Sequence, residues 1–152
     1  MSLRLKLMYR AATIYWQVFK PLTLGVKALL ILDKKVLLVK HSYQDGWFLP
    51  GGGVKRRETL ETAIRRECRE EIGATLANLQ LFGTYSSINE KKNDHVVVML
   101  STNFDYKGPN DREIVEAKLF DLNQLPDNIS PGTKNRLNEY LSNNQAPFIG
   151  DW

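Results

Sequence analysis

Between Gly52 and Ala74 the chain reads GGVKRRETLETAIRRECREEIGA, a glycine loop running straight into an acidic segment with helical periodicity. At about 100° per residue, Leu60, Ile64, Cys68 and Ile72 form one apolar stripe at successive i+4 steps, while Thr62, Arg65, Arg66 and Arg69 fall on the solvated side. Glu71 breaks the pattern. It projects between Leu60 and Ile64, with Glu67 beside it and Glu70 one step further round, so the three carboxylates are expected to converge. Like charges on a half-buried stripe repel one another and lose hydration. A hard divalent cation, Mg²⁺ or Mn²⁺, offsets both effects through oxygen ligands. Pairing with Arg65, Arg66 and Arg69 would suit an ordinary solvated helix, but it leaves the inward Glu71 without a reason.

The run Leu49-Pro50-Gly51-Gly52-Gly53 stands immediately before this helix. Glycines let the backbone approach a ligand closely, and a loop feeding a helix N-terminus offers free N–H groups to phosphate. Gly51, Gly52 and Gly53 are therefore candidate substrate-binding residues. Lys55, Arg56 and Arg57 flank the loop, and Arg56 is the candidate phosphate contact among them, although a solvated basic turn accounts for them equally well. Thr59 or Glu58 suits the helix start and Gly73 its end.

Gly52, Glu58, Arg66, Glu67, Glu70, Glu71 and Gly73 stand at the spacing G-x5-E-x7-R-E-U-x-E-E-x-G-U, where U is a bulky aliphatic residue, so the chain resembles the Nudix hydrolases. Seven identities at fixed spacing arise by chance in fewer than about one chain in a hundred thousand at ordinary residue usage. Cys68 and Ala74 depart from the U positions, which pack rather than react, and Arg57 stands where many members carry glycine. The resemblance implies an α/β/α sandwich with a mixed sheet and a loop-helix-loop catalytic motif. It also implies metal held by Glu67, Glu70, Glu71 and a loop carbonyl, assigned here to Gly52. Glu58 would orient Arg66 and fix the loop. Glu67 or a later glutamate would act as base, with Glu116 preferred and Glu113 second.

The implied reaction cleaves a diphosphate bond in a nucleoside diphosphate linked to a group X, giving a nucleoside monophosphate and phosphorylated X. A nucleoside triphosphate is one such substrate. The accessory motifs of coenzyme A, NADH, ADP-ribose and dinucleoside polyphosphate members are not found, which leaves X open. The rival reading is a catalytically silent Nudix-fold module binding a nucleotide or RNA. Such a module is expected to lose metal glutamates, and none is missing here.

The remaining sequence fits one domain. A chain of 152 residues, 43% hydrophobic, can bury a core. One cysteine excludes an intrachain disulfide framework and suits the cytoplasm, and a net charge of +4 favours anionic substrates without requiring nucleic acid. Capped or triphosphorylated RNA is not excluded. Residues 1–21 form a basic, aromatic extension, read as an amphipathic helix ending before Pro21; it would pack on the domain or on a second copy in a homodimer, or touch an anionic membrane surface. Its longest uncharged run, Ala11 to Phe19, is too short to span a bilayer, and it has no small-residue cleavage site.

The domain, residues 22–152, is expected to contain strands at 22–32 and 36–40 joined as a hairpin. Further strands are expected at 79–86, 95–102 and 114–122, with a closing helix over 133–143. Trp47, Phe48 and Tyr85 could stack on a base, but core packing is the simpler reading. His95 is read as structural and Cys68 as core.

Overall fold

The computed structural model describes residues 22–87, 93–142 and 145–152. The helix expected within residues 1–20, with its proposed contacts, lies outside them. Six strands form one mixed sheet in the order β7-β2-β1-β5-β4-β8: β1 (Leu22–Leu32), β2 (Lys35–His41), β4 (Gln80–Ser87), β5 (Asn93–Ser101), β7 (Ile114–Asp121) and β8 (Phe148–Asp151). The β1/β5 and β4/β8 pairs are parallel, and the others are antiparallel. A small ribbon pairs β3 (Thr75–Leu76) with β6 (Phe104–Asp105). Helix α1 (Leu60–Ile72) packs with one face of the sheet and α2 (Pro131–Leu141) with the other. No helix among the described residues is long and apolar enough to cross a membrane.

The continuous apolar run of β1 follows from burial on both faces. Val26, Ala28 and Leu30 join Ala63, Ile64, Cys68 and Ile72 of α1, whereas Leu29 and Ile31 join Leu137 of α2. Asp33 and Lys34 both have positive φ, 47° and 61°, as a tight two-residue hairpin turn requires. The structure adds three short strands to those expected. β3 and β6 have two residues each, and β8 follows a proline-containing turn, so none has enough length for a periodic signal. Asn93 and Asp94, just before the strand expected at 95–102, begin β5. The last helix starts two residues early because Pro131 at its first position and Ser130 as N-cap are favourable there.

The sheet is split where it matters. β1 and β2 pair only at Ile31–Val36 and Leu32–Lys35. Beyond that point the chain around the glycines fills the gap. Phe48 exchanges both backbone hydrogen bonds with Val39 at 2.9 Å, while Ala28 N–H donates to Pro50 O and Val26 N–H to Gly52 O, each at 2.9 Å. Gly51 lies at φ 126°, and a Cβ there would strike the Val26 carbonyl. Glycine is needed at this position for both reasons.

Candidate active site

Helix α1 presents its acidic residues to this wedge. Thr59 caps it by accepting from Thr62 N–H at 3.1 Å, and Gly73 ends it in the left-handed region. The apolar stripe is buried at Ile64, Cys68 and Ile72, joined by Ala63, but Leu60 at the helix start is exposed. Glu71 is 6% exposed, as the periodicity predicts, and its Oε2 accepts the Gly51 N–H at 2.8 Å. Burial pushes its carboxyl up to about 7, against the lowering effects of Lys27 and the Gly51 bond. Glu67 lies across the same loop, so close that a Cβ on Gly52 would meet its carboxylate at 2.8 Å.

Arg66 does not lie on a solvated face, contrary to the helical-wheel expectation. Its side chain is 15% exposed and clamps Glu58 with two bonds, Nε to Oε1 at 2.7 Å and Nη2 to Oε2 at 2.9 Å. The same guanidinium reaches Glu67 at 2.6 Å, Glu70 at 3.1 Å and the Gly53 carbonyl at 3.0 Å. Glu58 also accepts from Lys55 N–H at 2.9 Å. The Arg66 bonds and then the Lys55 bond hold the Glu58 carboxyl down to about 2. A planar fork with five donors can serve this many acceptors; a lysine could not. Glu58 and Arg66 are thus bonded to each other and, through Lys55 N–H and the Gly53 carbonyl, to the loop.

Glu67 and Glu71 meet at the loop, but Glu70 stays 52% exposed beside Arg66. Among the described residues no three His, Cys, Asp or Glu side chains are gathered closely enough to hold a metal ion. Arg66 draws two of the glutamates to itself, and the loop holds the third. The donor chemistry nevertheless suits a hard cation, being carboxylate and backbone oxygen throughout, with one buried carboxylate in need of positive charge.

The loop carbonyls are differently placed from the expectation. Gly52 O is committed to Val26 N–H, whereas Gly51 O faces the Lys27 ammonium. Arg56 is exposed on the turn, and Arg57 adopts φ 63°, the conformation for which glycine is suited.

The later glutamates separate. A bulge between Lys40 and His41 leaves Val115 without a register partner, so Ile114 and then Ala117 and Leu119 face α1. Glu116, opposite Lys40, consequently falls on the other face of the sheet. Glu113 instead lies just before β7, its carbonyl bonded to Ser42 N–H, and its charge bears on Tyr43 together with those of Glu71 and Asp111. Asp111 accepts from the N–H groups of Glu113 and Ile114, which fixes this turn beside the helix end.

Sequence reasoning missed Lys27, His41, Tyr43 and Asp111. His41 is 8% exposed, with its ring 5.1 Å from Tyr43 and 5.4 Å from Phe48. Its buried Nδ1 has no hydrogen-bond partner among the described residues, and burial with the Lys27 charge lowers its pKa to about 4. The lone charge in the apolar run of β1 was the available signal for Lys27; the others carried none. Trp47 and Tyr85 are core residues, and His95 bonds Ser86 Oγ across the β4/β5 pair at 3.0 Å. Burial raises the Cys68 thiol, consistent with a packing role.

Comparison with known proteins agrees with the fold and the motif. The NUDIX domain family model matches residues 21–140. An ADP-ribose pyrophosphatase of Methanocaldococcus jannaschii is 34% identical over 109 residues, covering 67% of this chain and 63% of that protein. An uncharacterized Nudix hydrolase of Bacillus subtilis is 36% identical, covering 66% and 67% respectively. The chain thus spans about two thirds of the length of these relatives. The crystal structure of a MutT NUDIX hydrolase from Burkholderia pseudomallei superposes with a TM-score of 0.71 at 25% identity, covering 78% of this chain and 97% of that one. With the glycine wedge, the Glu58–Arg66 clamp and the inward glutamates in place, the chain belongs to the Nudix hydrolase family, whose enzymes cleave phosphoanhydride bonds.

Proposed function

We propose that this enzyme is an Mg²⁺- or Mn²⁺-dependent pyrophosphohydrolase acting on a nucleoside diphosphate linked to a group X, nucleoside triphosphates included. The observation that carries the reading is Glu71, a carboxylate buried in an apolar helix stripe and bonded to the N–H of a glycine loop. Glu67, Glu70 and Glu71 would hold the metal, which when bound neutralises phosphate oxygens and lowers the pKa of water. Arg66 holds Glu67 and Glu70 in reserve at the helix surface while Glu58 fixes Arg66 against the loop. A carboxylate takes the proton as the water oxygen bonds to phosphorus and the bridging P–O bond breaks. Glu67 and Glu113 suit this role better than Glu116, which faces away. Gly51 to Gly53 and Arg56 line the approach for the phosphates. Tyr43, exposed beside His41, is available to the group attached to them.

The archaeal relative's name places ADP-ribose first in a substrate panel. Nucleoside triphosphates, nucleotide sugars, diadenosine polyphosphates and capped or triphosphorylated RNA complete it. With products resolved by mass, turnover of one class that falls at least about a hundredfold in Glu71→Gln supports the reading. Turnover that survives chelation of divalent ions, or that Glu71→Gln leaves intact, sinks it. A cytoplasmic location, and contact of residues 1–20 with a second copy or an anionic membrane, belong to the same proposal. Co-sedimentation with anionic vesicles, compared with a chain beginning at Leu22, tests the membrane contact: equal binding removes it.

A further inference from the structure

Lys27 is the only charged side chain in β1, and it is flanked by Val26 and Ala28, both fully buried. Its Nζ donates to the Gly51 carbonyl. The neighbouring carbonyls of Pro50, Gly52 and Gly53 are taken by Ala28 N–H, Val26 N–H and the Arg66 guanidinium. Gly51 is therefore the loop carbonyl turned toward a lysine ammonium, while its own N–H is bonded to Glu71. Arg66 serves Glu58, Glu67 and Glu70 and leaves Glu71 to other partners. Burial lowers the pKa of Lys27, and the charges that oppose this most are those of Glu71 and then Glu67. Among the described residues no direct ion pair joins Lys27 to either carboxylate; Gly51 stands between Lys27 and Glu71.

We propose that Lys27 is the resident cation of the glycine loop, holding the Gly51 carbonyl and balancing Glu71, so that the site binds one divalent ion fewer than it would with a neutral residue at position 27. This rests on the metal-dependent reading above. An ammonium and a divalent ion sharing one carbonyl in a part-buried site repel each other strongly. A fixed lysine also keeps the loop charged and shaped when no ion is bound. Lys27 is thus a positioning residue, acting through Gly51 and Glu71.

The test is Mn²⁺ stoichiometry, read from the electron paramagnetic resonance signal of free Mn²⁺ during titration of the full chain. Wild type is compared with Lys27→Gln, which keeps a donor for the carbonyl, Lys27→Met, which keeps the length, and Lys27→Arg, which keeps the charge. One further ion per chain in the Gln and Met variants, with Arg matching wild type, is the expected result. Equal stoichiometry in all four overturns the proposal. Variants that unfold in chelator but fold in Mn²⁺ support it, since an ion has then replaced the ammonium. Failure of both neutral variants to fold even in saturating Mn²⁺ overturns it. Should wild type bind no ion while Lys27→Gln binds one, the metal-dependent reading of the native enzyme fails and the role of Lys27 stands; binding by none ends both.

Discussion

Near neutral pH the charge on Glu71 depends on its surroundings, because burial raises its carboxyl to about 7. Single atoms decide comparable questions at the neighbouring glycines. A Cβ at Gly52 would meet the Glu67 carboxylate at 2.8 Å, whereas one at Gly53 would meet nothing within 4 Å. A carboxylate at the end of a flexible side chain can move aside, so Gly52→Ala is expected to change stability by less than about 1 kcal/mol but cut kcat by roughly tenfold or more. Gly53→Ala should leave stability nearly unchanged; thermal melts of the two variants and turnover by Gly52→Ala provide the check.

His41 supplies a pH prediction. Its folded pKa, about 4, lies below the ordinary 6.5, so the neutral ring contributes stability that is present above pH 6.5 and lost as pH falls through 4. Lys27 reinforces this and Asp111 opposes it. Urea midpoints should therefore fall more steeply between pH 6.5 and 4 in wild type than in His41→Phe. Parallel curves would contradict the assignment.

At the scale of elements, the catalytic helix is fixed at its two ends and at Arg66 rather than along its stripe alone. Its entry turn carries a backbone compromise, Arg57 at φ 63°. A left-handed conformation costs a side-chain-bearing residue about 1–2 kcal/mol, partly offset by the greater unfolded-state freedom of glycine. Arg57→Gly is accordingly expected to stabilise the protein by up to about 1 kcal/mol, measurable as a raised urea midpoint. The departure from the family pattern at this position was visible in the sequence, and the structure places Arg57 in the left-handed region. The β7 bulge is the opposite case. It shifts the in–out alternation by one residue and so reverses the facing of Glu116, but which residue goes unpaired is set by the partner strand and not by the local sequence.

For the molecule as a whole, the last residues close the face opposite the active site. Trp152 packs edge-on to Tyr85 with ring centres 6.0 Å apart, and a Cβ on Gly132 would meet its Nε1 at 2.7 Å. Arg136, 3% exposed, lies 3.6 Å over the Tyr85 ring and donates to the Asp151 carbonyl at 3.0 Å. Trp152→Ala should cost about 2 kcal/mol, seen as a lower melting temperature, while turnover persists below that temperature.

The sequence by itself determined the helix, its caps, the inward glutamate and the long strands, because each depends on residues within a few positions of one another. Tertiary structure decided the split between β1 and β2, the glycine wedge within it, and the assembly of Lys27, His41, Tyr43 and Asp111 around Glu71. Those residues meet only because the sheet pairs distant segments, and no local periodicity encodes which strand comes beside which.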